Sequence, residues 1–492
     1  MRKSGIILPI FSLPSNYGIG TFGVEAYKFV DFLKNSNQKY WQILPVGPTS
    51  YGDSPYQSFS TFAGNPYFID LDLLVEDGLL AIPNIEKFEF GNDIDYVDYS
   101  VMYQNRYKVL RIAYKAKTEE FENKINIFKG ENKEWIEDYA LFMALKDYNK
   151  GVSWSSWDDE IKFRTEEGLK KYKNLLKEEI DFHIFLQYLF FKQWNSLKSY
   201  ANENGIEIIG DIPIYVAQDS ADVWSNSSLF RLDENLNPIE VAGCPPDAFS
   251  ETGQLWGNPI YDWDAMEKED YKWWVRRFKE SRKIFDVIRI DHFRGFESYW
   301  AIPFEEETAI NGEWKKGPGI KVFNTIKKEL GNIQVIAEDL GYITEEVRNL
   351  LDECGYPGMK VLQFAFNPNG DSEYLPHNYT SNYVVYTGTH DNDTIKGWYE
   401  SLSKEEKDFC NEYSGMKSSE DNWEFIKLVM QSVADIAILQ AQDILNLGTE
   451  ARINMPSTLG TNWKWRMRKD SLSEEISNKL RNLTRTYRRN FY

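Results

Sequence analysis

The chain has 492 residues, of which 42% are apolar, and carries a formal net charge of -20. That length is too great for one small core and sufficient for a large barrel with insertions, and the apolar share allows a full interior. The acidic balance excludes a nucleic-acid binder, which needs a basic face, and reads instead as a solvated acidic surface.

The apolar run that follows Met1-Arg2-Lys3 is too short for a signal peptide. No window of eighteen uninterrupted apolar residues occurs, so no membrane span is expected. Eight strand-like runs follow in order, at residues 5–11, 40–46, 206–216, 286–293, 334–340, 358–366, 383–391 and 443–447. Near-continuous apolar strands suit a parallel sheet covered on both faces. Helical patterns separate most of them, at 26–36 after the first and 345–354 after the fifth. The spacing predicts an α/β fold, a (β/α)8 TIM barrel with helical insertions around its C-terminal mouth and the active site where the strands end.

The second and third strands are too far apart for one loop. Trp135, Tyr139, Phe142 and Leu145 form an apolar helical stripe, and a further helix at 182–200 closes at Gly205. The expected division is therefore a barrel from 1–98 and 206–492 and a mainly helical insertion at 99–205. Residues 217–269 are rich in turn formers and read as loops over the barrel mouth. Ser471 and Glu474 predict a capping box before a basic final helix. Cys244, Cys354 and Cys410 are few, odd in number and widely spaced, which fits no disulfide framework or zinc pattern and points to the cytoplasm.

Three acidic segments carry the chemistry: Arg289-Ile290-Asp291-His292, Ile336-Ala337-Glu338-Asp339 and Thr389-His390-Asp391-Asn392. Each closes an apolar, β-branched run. Carboxylates converging from separate strand ends suit the cleavage of an acetal, where one attacks and another holds a proton. Arg289 and Asp291 are two apart on a strand and so face the same way, and the arginine is expected to hold Asp291 ionised. Glu338 follows an apolar stretch, where burial raises a carboxyl pKa toward that of a general acid. His390 with Asp391 suits adjacent sugar hydroxyls, and Asp211 adds a fourth strand-end carboxylate. Taken singly, each also fits a structural role: a buried ion pair, a strand-end hydrogen bond or a turn. The same residues could build an oxygen-rich divalent metal site. Arg289 already supplies a positive charge there, and no HExxH, EF-hand or Walker pattern is present, so no metal is expected. An aromatic share of 15%, with 16 Trp, offers flat faces for sugar rings beyond ordinary core packing.

At these residues the chain resembles the amylomaltases, the 4-α-glucanotransferases of glycoside hydrolase family 77 in the α-amylase superfamily. The resemblance rests on Ser54-Pro55-Tyr56-Gln57 with Phe62-Ala63-Gly64-Asn65-Pro66-Tyr67, Gly210-Asp211-Ile212-Pro213-Ile214-Tyr215-Val216, the loop from Pro245-Pro246-Asp247 to Trp256-Gly257-Asn258-Pro259, Arg289-Ile290-Asp291-His292-Phe293-Arg294-Gly295, Ala337-Glu338-Asp339-Leu340-Gly341 and Gly388-Thr389-His390-Asp391-Asn392. It covers nearly the whole chain. It implies that Asp291 is the nucleophile, Glu338 the acid/base and Asp391 the stabiliser of a distorted sugar. Tyr56, Asp211, Arg289 and His390 would line the donor sugar. Asp247, Glu251, Gln254 and Trp256 would sit on a loop over the acceptor, and Asn462 would close the donor side. It also implies an α-1,4-glucan donor, a glucose or maltooligosaccharide acceptor, and no metal or organic cofactor. Cys244 departs from the small aliphatic residue expected at its position. The first barrel strand begins almost at once, as in the short form of the family. The expected activity is retaining 4-α-glucanotransfer. A glucan hydrolase on the same barrel and a non-catalytic glucan-binding protein remain as alternatives.

Overall fold

The computed structural model describes residues 2–50, 52–246 and 250–489. Its strands in chain order are β1 (Lys3–Ile7), β2 (Tyr40–Gln42), β3 (Glu207–Pro213), β4 (Glu240–Cys244), β5 (Gln254–Pro259), β6 (Val287–Asp291), β7 (Ser298–Pro303), β8 (Glu313–Lys316), β9 (Val335–Ala337), β10 (Gly358–Val361), β11 (Tyr383–Tyr386) and β12 (Ile436–Gln440). Eight of them make one parallel sheet in the order β10-β11-β12-β1-β2-β3-β6-β9. The first and last barrel strands meet: β1 pairs with β12 from Lys3↔Ile436 to Ile7↔Gln440. The sheet nearly closes between β9 and β10. There the Ala337 N–H donates to the Pro357 carbonyl at 3.0 Å, and the Met359 N–H to Asp339 Oδ1 at 2.6 Å. This is the (β/α)8 barrel expected from the strand spacing.

The barrel strands are buried on both faces, which is why they read as unbroken apolar runs. Wall packing is tight enough to require a glycine at position 210. A Cβ there would lie 2.1 Å from the Phe285 ring, which covers the outside of β3 next to Asp211.

Residues 99–205 fold mainly as helices, including Tyr99–Lys115, Glu119–Glu131, Ile136–Tyr148 and Lys177–Glu203. The apolar stripe of Ile136–Tyr148 is buried, and Ala140, Leu141, Met143 and Ala144 join it, so this helix is covered nearly all round. The 27-residue helix Lys177–Glu203 packs on it and also runs along β3 and the helix Val24–Asn35. At its barrel end Trp194 Nε1 donates to the Ile284 carbonyl at 3.1 Å. Gly205, at φ +78°, turns the chain into β3.

Three local expectations are corrected. The eighth strand is Ile436–Gln440, not 443–447. Ile436-Ala437-Ile438-Leu439 is the unbroken apolar run a doubly covered strand needs, whereas the chain from Ala441 forms the short helix Ala441–Ile444 and Asn446 is left-handed. The stretch 217–269 holds more than loops. Its strands β4 and β5 join β7 and β8 in an antiparallel sheet ordered β5-β4-β7-β8 over the barrel mouth. Its two halves lie apart in sequence, which hid the pairing. The final helix, Glu474–Thr486, is capped by Ser473, whose hydroxyl accepts from the Ile476 N–H, while Ser471 donates to the Arg468 carbonyl. Among the described residues no helix is long and apolar enough to cross a membrane.

Candidate active site

The strand register sets the site. Asp211 on β3 pairs with Arg289 on β6, and Ile290 on β6 pairs with Ala337 on β9. One step further along, Asp291 and Glu338 are therefore neighbours on adjacent strands, both on the inner side. The chain leaves β6 through His292 in the left-handed region, φ +54°. A non-glycine residue there is costly unless its surroundings hold it. They do: the His292 N–H donates to Glu338 Oε2 at 2.7 Å, and its ring meets Trp256 edge-on at 4.8 Å. The Leu340 N–H donates to Glu338 Oε1 at 2.8 Å. Each carboxylate oxygen keeps a second lone-pair site, so Glu338 can carry a proton without giving up either bond.

Arg289 is buried and shared. Its Nη1 lies 2.5 Å from Asp211 Oδ2 and 3.0 Å from Asp291 Oδ1. The Tyr56 hydroxyl donates to the same Asp211 oxygen at 2.9 Å. The Tyr56 ring stacks on His390, with centroids 5.1 Å apart and planes 18° apart, and Trp463 packs against both. His390 Nε2 is 3.4 Å from Asp391 Oδ2, and the Tyr56 hydroxyl lies 3.5 Å from His390 Nδ1. The segment carrying this pair is held from below. Gln363 and Gln440 both donate to the Asp393 carbonyl, and Asp443 accepts from the Thr387 hydroxyl and the Ile395 N–H.

Burial dominates the titration of the site. It pushes Asp291 well above the ordinary carboxylate range, and Arg289 offsets only part of that effect, while Asp211, Glu338 and Asp391 add to it. The sequence expectation was the reverse, an Asp291 held low by Arg289. It failed because one guanidinium serves two carboxylates amid four. Glu338 is also raised, by burial first, against Arg289 and its two backbone donors. His390 is lowered by burial, and His292 falls to about 3 through burial and the nearby Arg294, so both imidazoles are neutral.

The structure thus brings Tyr56, Asp211, Arg289, Asp291, Glu338, His390 and Asp391 together. Trp256, half-buried on β5, reaches the group through His292, and its Nε1 donates to Gln254 at 3.1 Å. Glu251 is exposed in the turn before β5, and Asp247 lies outside the described residues. Asn462 turns into its own loop, accepting from the Met455 N–H at 3.0 Å and donating to the Thr458 carbonyl at 2.9 Å.

Sequence reasoning missed Arg452 and Asn454. Asn454 Nδ2 donates to Asp391 Oδ1 at 2.6 Å, its N–H donates to the His390 carbonyl at 3.0 Å, and Arg452 Nη2 donates to the Asp391 carbonyl at 2.6 Å. Arg452-Ile453-Asn454 has no spacing that advertises such a role, and only the fold aims it. Asn454→Ala is expected to lower kcat by roughly tenfold, the value of a hydrogen bond to a charged group, with little change in KM. Asp391→Asn should lower kcat further and also leave KM nearly unchanged. Steady-state kinetics on a maltooligosaccharide donor checks both, and a large rise in KM at constant kcat would contradict them. Among the described residues, no group of three or more His, Cys, Asp or Glu has a metal-holding geometry.

Comparison with known proteins gives one consistent answer. A family model described as 4-alpha-glucanotransferase matches residues 8–472. A 4-alpha-glucanotransferase of Clostridium butyricum is 55% identical over 483 residues, covering 98% of this chain and 99% of that protein. One from Thermus thermophilus is 48% identical over 493 residues, covering 98% and 97%. Among solved structures, an amylomaltase from Streptococcus agalactiae in complex with acarbose is 45% identical, with a TM-score of 0.97 and 100% of both chains covered.

Proposed function

The chain belongs to the 4-alpha-glucanotransferase family, and we propose how its carboxylates divide the reaction between them. The enzyme moves an α-1,4-glucan segment from a maltodextrin donor to the 4-hydroxyl of glucose or another glucan, with retention of configuration. In the proposed cycle Asp291 attacks the anomeric carbon as Glu338 gives its proton to the departing glycosidic oxygen. A covalent β-glucosyl–Asp291 ester forms. The acceptor hydroxyl then displaces Asp291 and returns its proton to Glu338, so two inversions give net retention. The reading rests above all on the β6–β9 register, which sets these two carboxylates side by side at the barrel mouth.

The remaining roles follow from contacts. Asp391 and neutral His390 grip hydroxyls of the distorting donor ring, and Asp211, Arg289 and Tyr56 line its floor. Asn462 serves the donor side by shaping its own loop. Asp247, Glu251, Gln254 and Trp256 flank the acceptor and keep water from the ester. No step calls on a metal or organic cofactor, and activity should survive exhaustive dialysis against EDTA. Loss that a divalent ion restores would reverse that assignment. Three cysteines, few, odd in number and widely spaced, favour a cytoplasmic location.

Maltotriose tests the whole reading. The enzyme should yield glucose together with chains longer than maltotriose, and few new reducing ends. A hydrolase would give only shorter sugars, and a binding protein neither product. Trp256→Ala is expected to raise the ratio of reducing ends released to glucosyl units transferred by severalfold, because it opens the ester to water. An unchanged ratio with lower overall activity would limit Trp256 to binding.

A further inference from the structure

Tyr342 is exposed to 72%, far more than a tyrosine needs in order to keep its hydroxyl wet. It lies four residues past Glu338, in the seven-residue stretch 338–344 that joins β9 to the helix Glu345–Cys354. Gly341 before it is left-handed at φ +86°, a turn that a side chain would strain. The loop is nonetheless fixed at both ends of this short stretch. The Leu340 N–H is bound to Glu338, and the Tyr342 carbonyl accepts from Arg294 Nη1.

Arg294 is itself buried. It stands three residues past Asp291, its guanidinium lies 3.9 Å over the Trp314 ring, and its Nη2 donates to the Ser298 hydroxyl at 3.1 Å. The second face of the arrangement is the Tyr342 ring, 5.8 Å from the same guanidinium. Trp314 is 39% exposed beside it. A buried cation thus holds the backbone under an aromatic ring that the protein itself leaves uncovered. An exposed aromatic face carried on an anchored backbone suits the apolar face of a pyranose.

The side of the cleft follows from the chemistry. A general acid stands next to the oxygen it protonates, so the loop leading away from Glu338 flanks the departing chain, and later the arriving one. The donor ring lies toward Asp211, Tyr56 and His390, on other strands. We propose that Tyr342, carried by Arg294, is a stacking platform for the acceptor glucan beyond its first glucose unit, and so sets a preference for longer acceptors. The inference rests on Glu338 being the acid/base.

Acceptor competition tests it. With one maltodextrin donor held saturating, kcat/KM is measured for glucose, maltose, maltotriose and maltotetraose as acceptors. Tyr342→Ala should leave glucose unchanged and lower the longer acceptors by roughly tenfold, the discrimination one apolar contact gives. Tyr342→Trp should retain the wild-type length profile, and Tyr342→Leu, with bulk but no ring, should follow Tyr342→Ala. Equal losses for glucose and maltotetraose would show a structural effect and overturn the proposal, as would no loss at any length. Glu338→Gln on a natural donor examines the underlying assignment separately, because full activity there would remove it whatever Tyr342 shows.

Discussion

Asp291→Asn is expected to abolish glucan transfer while making the protein more stable. Loss of a covalent nucleophile costs roughly four to six orders of magnitude in kcat. The stability gain comes from the same residue. Burial and three neighbouring carboxylates raise the Asp291 carboxyl above its ordinary range. The native state therefore binds that proton more tightly than the unfolded chain does. Its contribution to stability is complete below the unfolded value, about 4, and is lost as pH rises through the raised native value. At neutral pH the wild type bears the repulsion that asparagine removes, worth about 1 kcal/mol. The melting temperature of Asp291→Asn should exceed that of the wild type at pH 7, and the difference should vanish near pH 4. An equal or lower melting temperature at pH 7 would mean that Arg289 holds the aspartate comfortably ionised.

Glu338→Gln is expected to fail on maltotriose and to recover on a donor whose leaving group needs no proton. General acid catalysis contributes roughly 10²–10⁴-fold. That factor should be missing with a sugar leaving group and largely absent from the comparison with α-glucosyl fluoride. A small azide ion, which needs no general base, should then displace Asp291 from the β-configured ester and give the α-azide, whereas direct displacement on the donor would give the β-azide. Double displacement requires the retained product. Equal losses on both donors would show that Glu338 is structural. In the wild type the two raised carboxyls titrate as a pair, so both limbs of the pH profile of kcat/KM should lie above those of isolated carboxylates.

Much of the fold and of the candidate site was legible from the chain because several of the candidate residues sit on buried strands or just past their ends. Val287-Ile288-Arg289-Ile290-Asp291 declares its own periodicity, which turns Arg289 and Asp291 to one side, although the pair alone also fits a buried ion pair. The barrel followed from repeated runs of this kind. What stayed hidden depends on contacts between distant segments. Asn454 reaches Asp391 from 63 residues away. The antiparallel sheet over the mouth pairs β4 with β7 across the intervening β5 and β6. The pKa direction of Asp291 depends on how many carboxylates share Arg289, a count that a linear sequence does not give.

The meeting of β1 with β12 has a consequence for how the protein is made. Residues 3–7 leave the ribosome long before their partners at 436–440. At roughly 5–20 residues per second, the gap is about 20–90 s. Throughout that interval Ser4-Gly5-Ile6-Ile7 presents an apolar strand with one edge unpaired, a template for association with other nascent chains. Synthesis rate and chaperone supply, more than the stability of the finished barrel, should therefore govern the yield of active enzyme from a cell.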